Sequence, residues 1–355
     1  MATDYESLRE FINRIIVANK LEINSLENIH PVVTSITTQF DNYGWKVEKL
    51  ASGSDRTPLH SLTSPNGGIK LSMRGGKVYR HSSNTETICK YKNLTKLMLE
   101  LADVPVPKGA HFEPSQFGVA LAYFNKMPKP VVVKPTDAAG SLGVTVGIRT
   151  IESFEAAWKN ALSGGRQSSN ILVEQFVYGV ELRAYVVGEA VVSVIARLQP
   201  FVIGDGNKPL SQLIQDTRDK RTVHVRARKN PMKVDWAFVH RQGHDENSTP
   251  SDNEVVFLNQ LSTVRVGALT VDVTKYVSPD ILEMAVNAKH AIPSLEVAGV
   301  DMIVENLRDP STAHIVEVNT AASPDLHRYT HYGVMHAVDS DVVQYFHKQY
   351  SSSAK

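Results

Sequence analysis

At 355 residues the chain is long enough for a large core and for more than one domain or subdomain. Its 42% hydrophobic content excludes a disordered chain. With 38 Lys+Arg against 37 Asp+Glu, no global field recruits nucleic acid or an anionic membrane, and the single cysteine excludes a disulfide framework and a cysteine-based zinc site.

From the N-terminus, MATDYESLRE is polar and acidic, unlike a secretory signal, and no apolar run approaches the ~20 residues that span a bilayer. Together with Cys89 alone, this suits a reducing compartment, so the expectation is a cytoplasmic protein with neither membrane nor nucleic-acid partners. Leu8, Phe11, Ile12, Ile15 and Ile16 follow helical spacing. The segment ASGSDRTPLHSLTSPNGG reads as loop, and GIKLSM and KVYRH around Gly75-Gly76 read as a hairpin. Residues 92–107 read as a helix stopped by proline, with Leu94, Leu97, Met98 and Leu101 as its buried stripe and Lys92 and Lys96 one turn apart on the same side, where the usual fate of lysine is a solvated face.

PVVVKPTDAAGSLGVTVGI is a buried strand ending in Lys134, a glycine loop, and a second strand. An ammonium at the end of an apolar strand calls for an anionic partner, of which phosphate is one candidate. A glycine loop can fold backbone N–H groups over phosphates, or be a plain mobile turn. IESFEAAWKNAL reads as a helix with Phe154, Trp158 and Leu162 inward. ILVEQFV, LRAYVVG and AVVSVIAR read as strands, placing Glu181 and Arg183 on one face and Arg197 at an apolar strand end. The turn GDGN precedes a helix, then forty polar, irregular residues. Ser278-Pro279 starts a helix that reaches about Ala291, and the tail is an amphipathic helix with Val338, Val342 and Tyr345 or Phe346 inward.

Between the last two helices lie GVDMIV and HIVEVN. Alternation puts Ile315, Glu317 and Asn319 on one face and Val316 and Val318 on the other; Asp301 joins the first set if the strands pair. Two acids and an amide carbonyl are hard oxygen donors suited to Mg²⁺. The hairpin either holds the metal of a nucleotide site or simply turns a polar side to water.

Taken in order, the LTK helix, VVVKP with its glycine loop, VEQFV-x-G-x-E-x-R, the arginine strand with GDG, GVDMI and IVEVN resemble an ATP-grasp ligase. The closest likeness is to the ligase module of cyanophycin synthetases and the ATP-grasp half of bifunctional glutathione synthetases, over about residues 85–330. The resemblance implies an α+β ATP-grasp fold, two α+β subdomains clamping ATP, with a small N-terminal domain: residues 1–88 N-terminal, 89–178 lid, 179–350 C-terminal with the metal site. It implies that ATP phosphorylates a carboxylate and an amine attacks the acyl phosphate, giving an amide, ADP and phosphate. Lys92 and Lys134 match phosphate lysines; Gly140, Ser141 and Gly143 match the loop over the phosphates. Glu174 and Phe176 match the adenine hinge, and Glu181 the ribose acid. Arg183 and Arg197 match basic positions near the transferred phosphate, and Asp301, Glu317 and Asn319 the magnesium ligands. The implied cofactors are ATP and Mg²⁺, and the implied partners are small amino-acid or peptide substrates. Such relatives are often dimers or tetramers.

The likeness has departures. Tyr91 stands where an acid usually precedes the first lysine. LSTVRVGALTVDVT lacks a double-glycine turn, and Ala321-Ala322-Ser323-Pro324 replaces a proline-glycine turn after the metal strand. Basic residues in 218–241 with His327, Arg328 and His331 are candidates to bind an acidic substrate. A non-catalytic ATP-binding sensor or scaffold is the alternative reading; the intact acidic set and both lysines favour an enzyme.

Overall fold

The computed structural model describes residues 5–50, 58–138, 140, 142–166, 169–320 and 322–351. A first sheet is a meander of β1 (Lys46–Leu50), β2 (Leu59–Thr63), β3 (Lys70–Arg74) and β4 (Lys77–Tyr79). A second contains β5 (Gly109–Phe112), β6 (Val131–Pro135), β7 (Thr145–Ile148) and β8 (Ile171–Gln175), in the order β5-β8-β6-β7. The chain then enters β9 (Val180–Val187) and β10 (Ala190–Leu198), makes a ribbon of β11 (Phe201–Ile203) and β12 (Val255–Phe257), and adds β13 (Leu269–Asp272), β14 (Val297–Val304) and β15 (Ala313–Asn319). The third sheet runs β13-β10-β9-β14-β15, and every pairing in it is antiparallel.

β9 explains the layering. Val180, Leu182, Ala184 and Val186 face a core shared with Ile281, Ala285 and Ala288 of helix Pro279–His290, with Leu8, Phe11 and Ile12 of the first helix, Glu6–Ile12, and with Ile15 in the π-helical turn Asn13–Val17 after it. Tyr185 and Val187, on the opposite face, pack with Phe40, Trp45, Leu62 and Met73 of the N-terminal sheet and its helix Val32–Asn42, and with Val342 and Phe346 of the C-terminal helix Val338–Tyr350. Glu181 and Arg183 share that second face but lie outside this packed cluster. The alternation that builds two cores thereby delivers two charged residues to one sheet surface.

The helix Lys92–Leu101 differs from its expected orientation. It buries Thr95 and Leu99; Leu97 and Leu101 are exposed, and Leu94 and Met98 are half-buried. Thr95 Oγ1 donates to the Ile88 carbonyl at 2.7 Å, which turns this side toward the core. Lys92 and Lys96 are therefore largely covered rather than solvated. Leu162 is likewise exposed; Ala157 and Ala161 complete the buried side of helix Ile151–Gly164.

The segment expected to be loop contains β2, which alternates His60 and Leu62 inward. The irregular forty residues hold helices Val225–Lys229 and Trp236–Arg241 as well as β12. The Gly75-Gly76 hairpin forms as expected, with Arg74 opposite Lys77. No described helix is long and apolar enough to cross a membrane.

Candidate active site

Strand register assembles the acidic set. Arg183 on β9 faces Asp301 on β14, Asp301 faces Glu317 on β15, and Gly299 faces Asn319. One expectation about faces needs correction. The β14–β15 pairing slips between Asp301 and Met302, where Glu317 gives way directly to Ile315 as partner. This bulge places Val316 out of register and resets the alternation. Ile315 therefore points into the core with Val318 and Val300, while Glu317 and Asn319 stay half-buried on the other side.

Arg183 holds Asp301 with two parallel bonds, Nε–Oδ1 at 2.5 Å and Nη2–Oδ2 at 2.6 Å. Arg197 Nη2 reaches Asp301 Oδ2 at 3.1 Å and also binds Glu181 Oε1. Glu181 Oε2 accepts from Ser262 Oγ at 2.8 Å. Burial pushes the Asp301 carboxyl up, but the charges of Arg197 and Arg183 outweigh it and leave the group below the ordinary carboxylate range. Burial works against the Arg183 guanidinium, and Asp301 more than restores its hold on the proton.

A second cluster sits where the second sheet meets helix Lys92–Leu101. Lys134, next to last in β6, pairs with the buried Glu174 of β8, and Lys96 Nζ lies 4.0 Å from Glu174 Oε2 and binds the Pro107 carbonyl. Burial lowers the Lys96 ammonium. Lys92 bridges the two clusters: its Nζ donates to the Ala138 carbonyl at 2.6 Å and lies 3.7 Å from Glu317 Oε1. The cleft between Lys92, Lys96, Glu174 and Val316 has about 10 Å³ of space, roughly room for one water. The two sheets are closed on each other here.

Phe176 donates its backbone N–H to the Pro130 carbonyl at 3.3 Å and packs edge-on against Tyr178. Gly143 lies against Gly164 and Pro135, so the loop returns tightly onto the end of helix Ile151–Gly164. Gly140 reaches across to line a larger cavity, with Glu181 and Arg197. Ser141 lies outside the described residues.

That cavity, about 220 Å³, is also lined by Arg226, Asn230, Ser262 and His331. Of these, Ser262 and Asn230 were not foreseen. Ser262 sits in a stretch without periodicity, and no local signal marks it. Lys96 had a signal, its one-turn spacing from Lys92. Of the three residues suggested near 327–331, only His331 lines the cavity. His327 is buried against Ser193 and Tyr185, and Arg328 pairs with Asp339.

The donor set fits Mg²⁺ in kind. Two carboxylates face each other across a strand pair, and Asn319 Nδ2 lies 3.5 Å from Asp301 Oδ2, which turns its carbonyl oxygen the other way. Glu317 and Asn319 carry the open oxygens; those of Asp301 are shared with two guanidinium groups. No group of three or more His, Cys, Asp and Glu side chains at ligand spacing occurs among the described residues. Cys89 is buried, and burial pushes its thiol up to about 12, so it offers no thiolate.

No protein-family model matches the chain. It is 27% identical over 289 residues to the glutathione biosynthesis bifunctional protein GshAB of Clostridium perfringens, covering 78% of this chain and 36% of that protein. It is 27% identical over 252 residues to the cyanophycin synthetase of Synechocystis, covering 66% and 28%. The crystal structure of a bifunctional glutathione synthetase from Pasteurella multocida superposes with a TM-score of 0.63 at 21% identity, covering 90% of this chain and 44% of that one. The chain thus spans about a third of the length of the curated relatives it matches. Its fold is the ATP-grasp fold, and the curated relatives agree with the resemblance to ATP-grasp ligases read from its ordered motifs.

Proposed function

We propose that the chain is an ATP-dependent ligase that joins a carboxylate of an amino acid or small peptide to an amine. The observation that carries this reading is the meeting of Arg183, Arg197, Asp301 and Glu317 on one sheet surface, tied through Lys92 to the lid lysine cluster.

The chemistry asks for this arrangement. A carboxylate oxygen attacks the terminal phosphorus of ATP, the bond to ADP breaks, and the amine nitrogen then displaces phosphate from the acyl carbon and gives up a proton. Negative charge builds on phosphoryl oxygens throughout, and fixed cations lower that barrier without covalent work by the protein. In this reading Lys92 and Lys134 hold the phosphates under the Gly140–Gly143 loop. Glu174 and the Phe176 segment meet adenine, and Glu181 the ribose. Arg183 and Arg197 stabilise the transferred group. Glu317 and Asn319, with Asp301, would hold Mg²⁺, which when bound supplies further positive charge to the phosphates. Since the cleft between the sheets is closed, nucleotide entry requires the lid sheet to swing away and Glu174 to exchange Lys134 for its ligand.

ADP release measured against a panel of amino-acid pairs, with mass spectrometry of the products, tests the ligase. No turnover with any pair alongside tight ATP binding would favour the sensor reading. Glu317→Gln is expected to lower turnover by about 10²-fold or more with an unchanged circular dichroism spectrum; unaltered turnover would place the metal elsewhere. The reading carries with it a cytoplasmic location, where Cys89 stays reduced.

A further inference from the structure

The cavity beside Arg197 carries a charge imbalance that the reaction just described does not use. Glu181 is the one carboxylate among its described lining residues, and it is already matched by Arg197 and Ser262. Arg226 lines the same cavity. Its Nη1 donates to the Asp325 backbone carbonyl at 3.0 Å; the Asp325 charge supports the guanidinium from a distance, but burial outweighs it, and no described carboxylate forms an ion pair with it. Nearby, Arg221 is 3% exposed and has one hydrogen bond, from Nη2 to the Gly267 carbonyl at 2.7 Å. Its Nε and Nη1 find no acceptor among the described residues. His331, a lining residue, lies tilted against His224 with ring centres 4.5 Å apart. Burial, and then His224 and the two arginines, holds His331 well below its usual range, so it is neutral and adds a dipole rather than a charge.

Buried or half-buried guanidinium groups without acids are costly. Their positive potential falls on a cavity of about 220 Å³, room for a single amino acid. Val264, Leu269 and Leu326 give it an apolar wall.

We propose that this cavity takes an acidic amino-acid substrate, and that Arg226 binds the carboxylate that does not react. The proposal rests on the ligase reading for which carboxylate reacts, but the binding it requires does not depend on turnover. Arg226 is then a specificity residue, because a site built to pair a carboxylate leaves its cation unmatched when an amide takes that place.

Calorimetric titration of the full chain with L-glutamate against L-glutamine, and L-aspartate against L-asparagine, tests it. At least one acid is expected to bind about tenfold or more tighter than its amide. Arg226→Met is expected to bring that ratio close to one, and Arg226→Lys to restore part of it, since a lysine keeps the charge without the fork. Amides binding as well as acids, no binding by any of the four, or a ratio unchanged in Arg226→Met would overturn the proposal. Thermal unfolding certifies each variant; if the methionine variant does not fold, Arg226→Gln carries the comparison. Acid preference lost with Arg226 but no ADP release from any pair would sink the ligase and leave this site standing. ADP release confined to neutral amino acids would do the reverse.

Discussion

Asp301 keeps its charge with 4% of its surface exposed because Arg183 binds both its oxygens and Arg197 adds a further contact. Asp301→Asn removes the charge and leaves two guanidinium groups facing an amide. The expected cost is about 3–5 kcal/mol near neutral pH, read from urea unfolding. The pH dependence follows from the direction of the shift. The folded carboxyl lies below its unfolded value, so its contribution is complete above about pH 4 and is lost as pH falls through the folded value. The gap between wild type and Asp301→Asn should therefore narrow below about pH 4; a constant gap would show that the arginines do not depend on this charge. At this scale the sequence was informative wherever chemistry repeated every second residue. Glu181 with Arg183, and Glu317 with Asn319, landed together because strand alternation is rigid. Ile315 did not follow, because a bulge is a tertiary adjustment without a composition of its own. Arg226 lay in the basic stretch 218–241 already offered as candidates for an acidic substrate, and packing is what distinguishes it from the rest of that run.

Gly179 sits between β8 of the second sheet and β9 of the third. Its φ is +134°, and a Cβ there would lie 2.5 Å from the Val304 carbonyl. Gly179→Ala must both adopt a backbone that side chains avoid and displace β14, so a loss of about 1–3 kcal/mol is expected in denaturant unfolding. Turnover should fall as well, since β14 carries Asp301. An unchanged unfolding midpoint would show that the junction relaxes freely. Element existence was readable for the apolar strands β6, β8, β9 and β10 and for helices with clear caps, such as the one begun by Ser278 and Pro279. Helix Val32–Asn42 was not seen, because its β-branched residues depress the helical signal and its order comes from packing Val32, Ile36 and Phe40. The lysine helix was seen but rotated, since four exposed or half-buried apolar residues outvoted Thr95 and Leu99 in the pattern.

Across the whole molecule, the N-terminal sheet and the C-terminal helix form one core on the face of β9 opposite the first helix. Asp339, fully buried at the helix start, accepts from Ser35 at 2.6 Å and pairs with Arg328, tying the C-terminal helix to helix Val32–Asn42. Phe346→Ala should cost about 3–5 kcal/mol. Hydrogen exchange should show the loss first at Leu62, Leu71 and Met73, which share its core; uniform loosening of both cores would mean that the ends are not a separable unit. The ionic pairing of the cleft has a consequence of another kind. Lys92, Lys96, Lys134, Arg183 and Arg197 stand against Glu100, Glu174, Glu181, Asp301 and Glu317, five cations with five carboxylates. Seen from beyond a Debye length, such a set has almost no monopole, so an approaching polyanion is not steered toward it. The association rate of a fluorescent ATP analogue should then change less than about twofold between low and physiological salt. A steep fall with salt would mean that the pairs come apart before the nucleotide arrives.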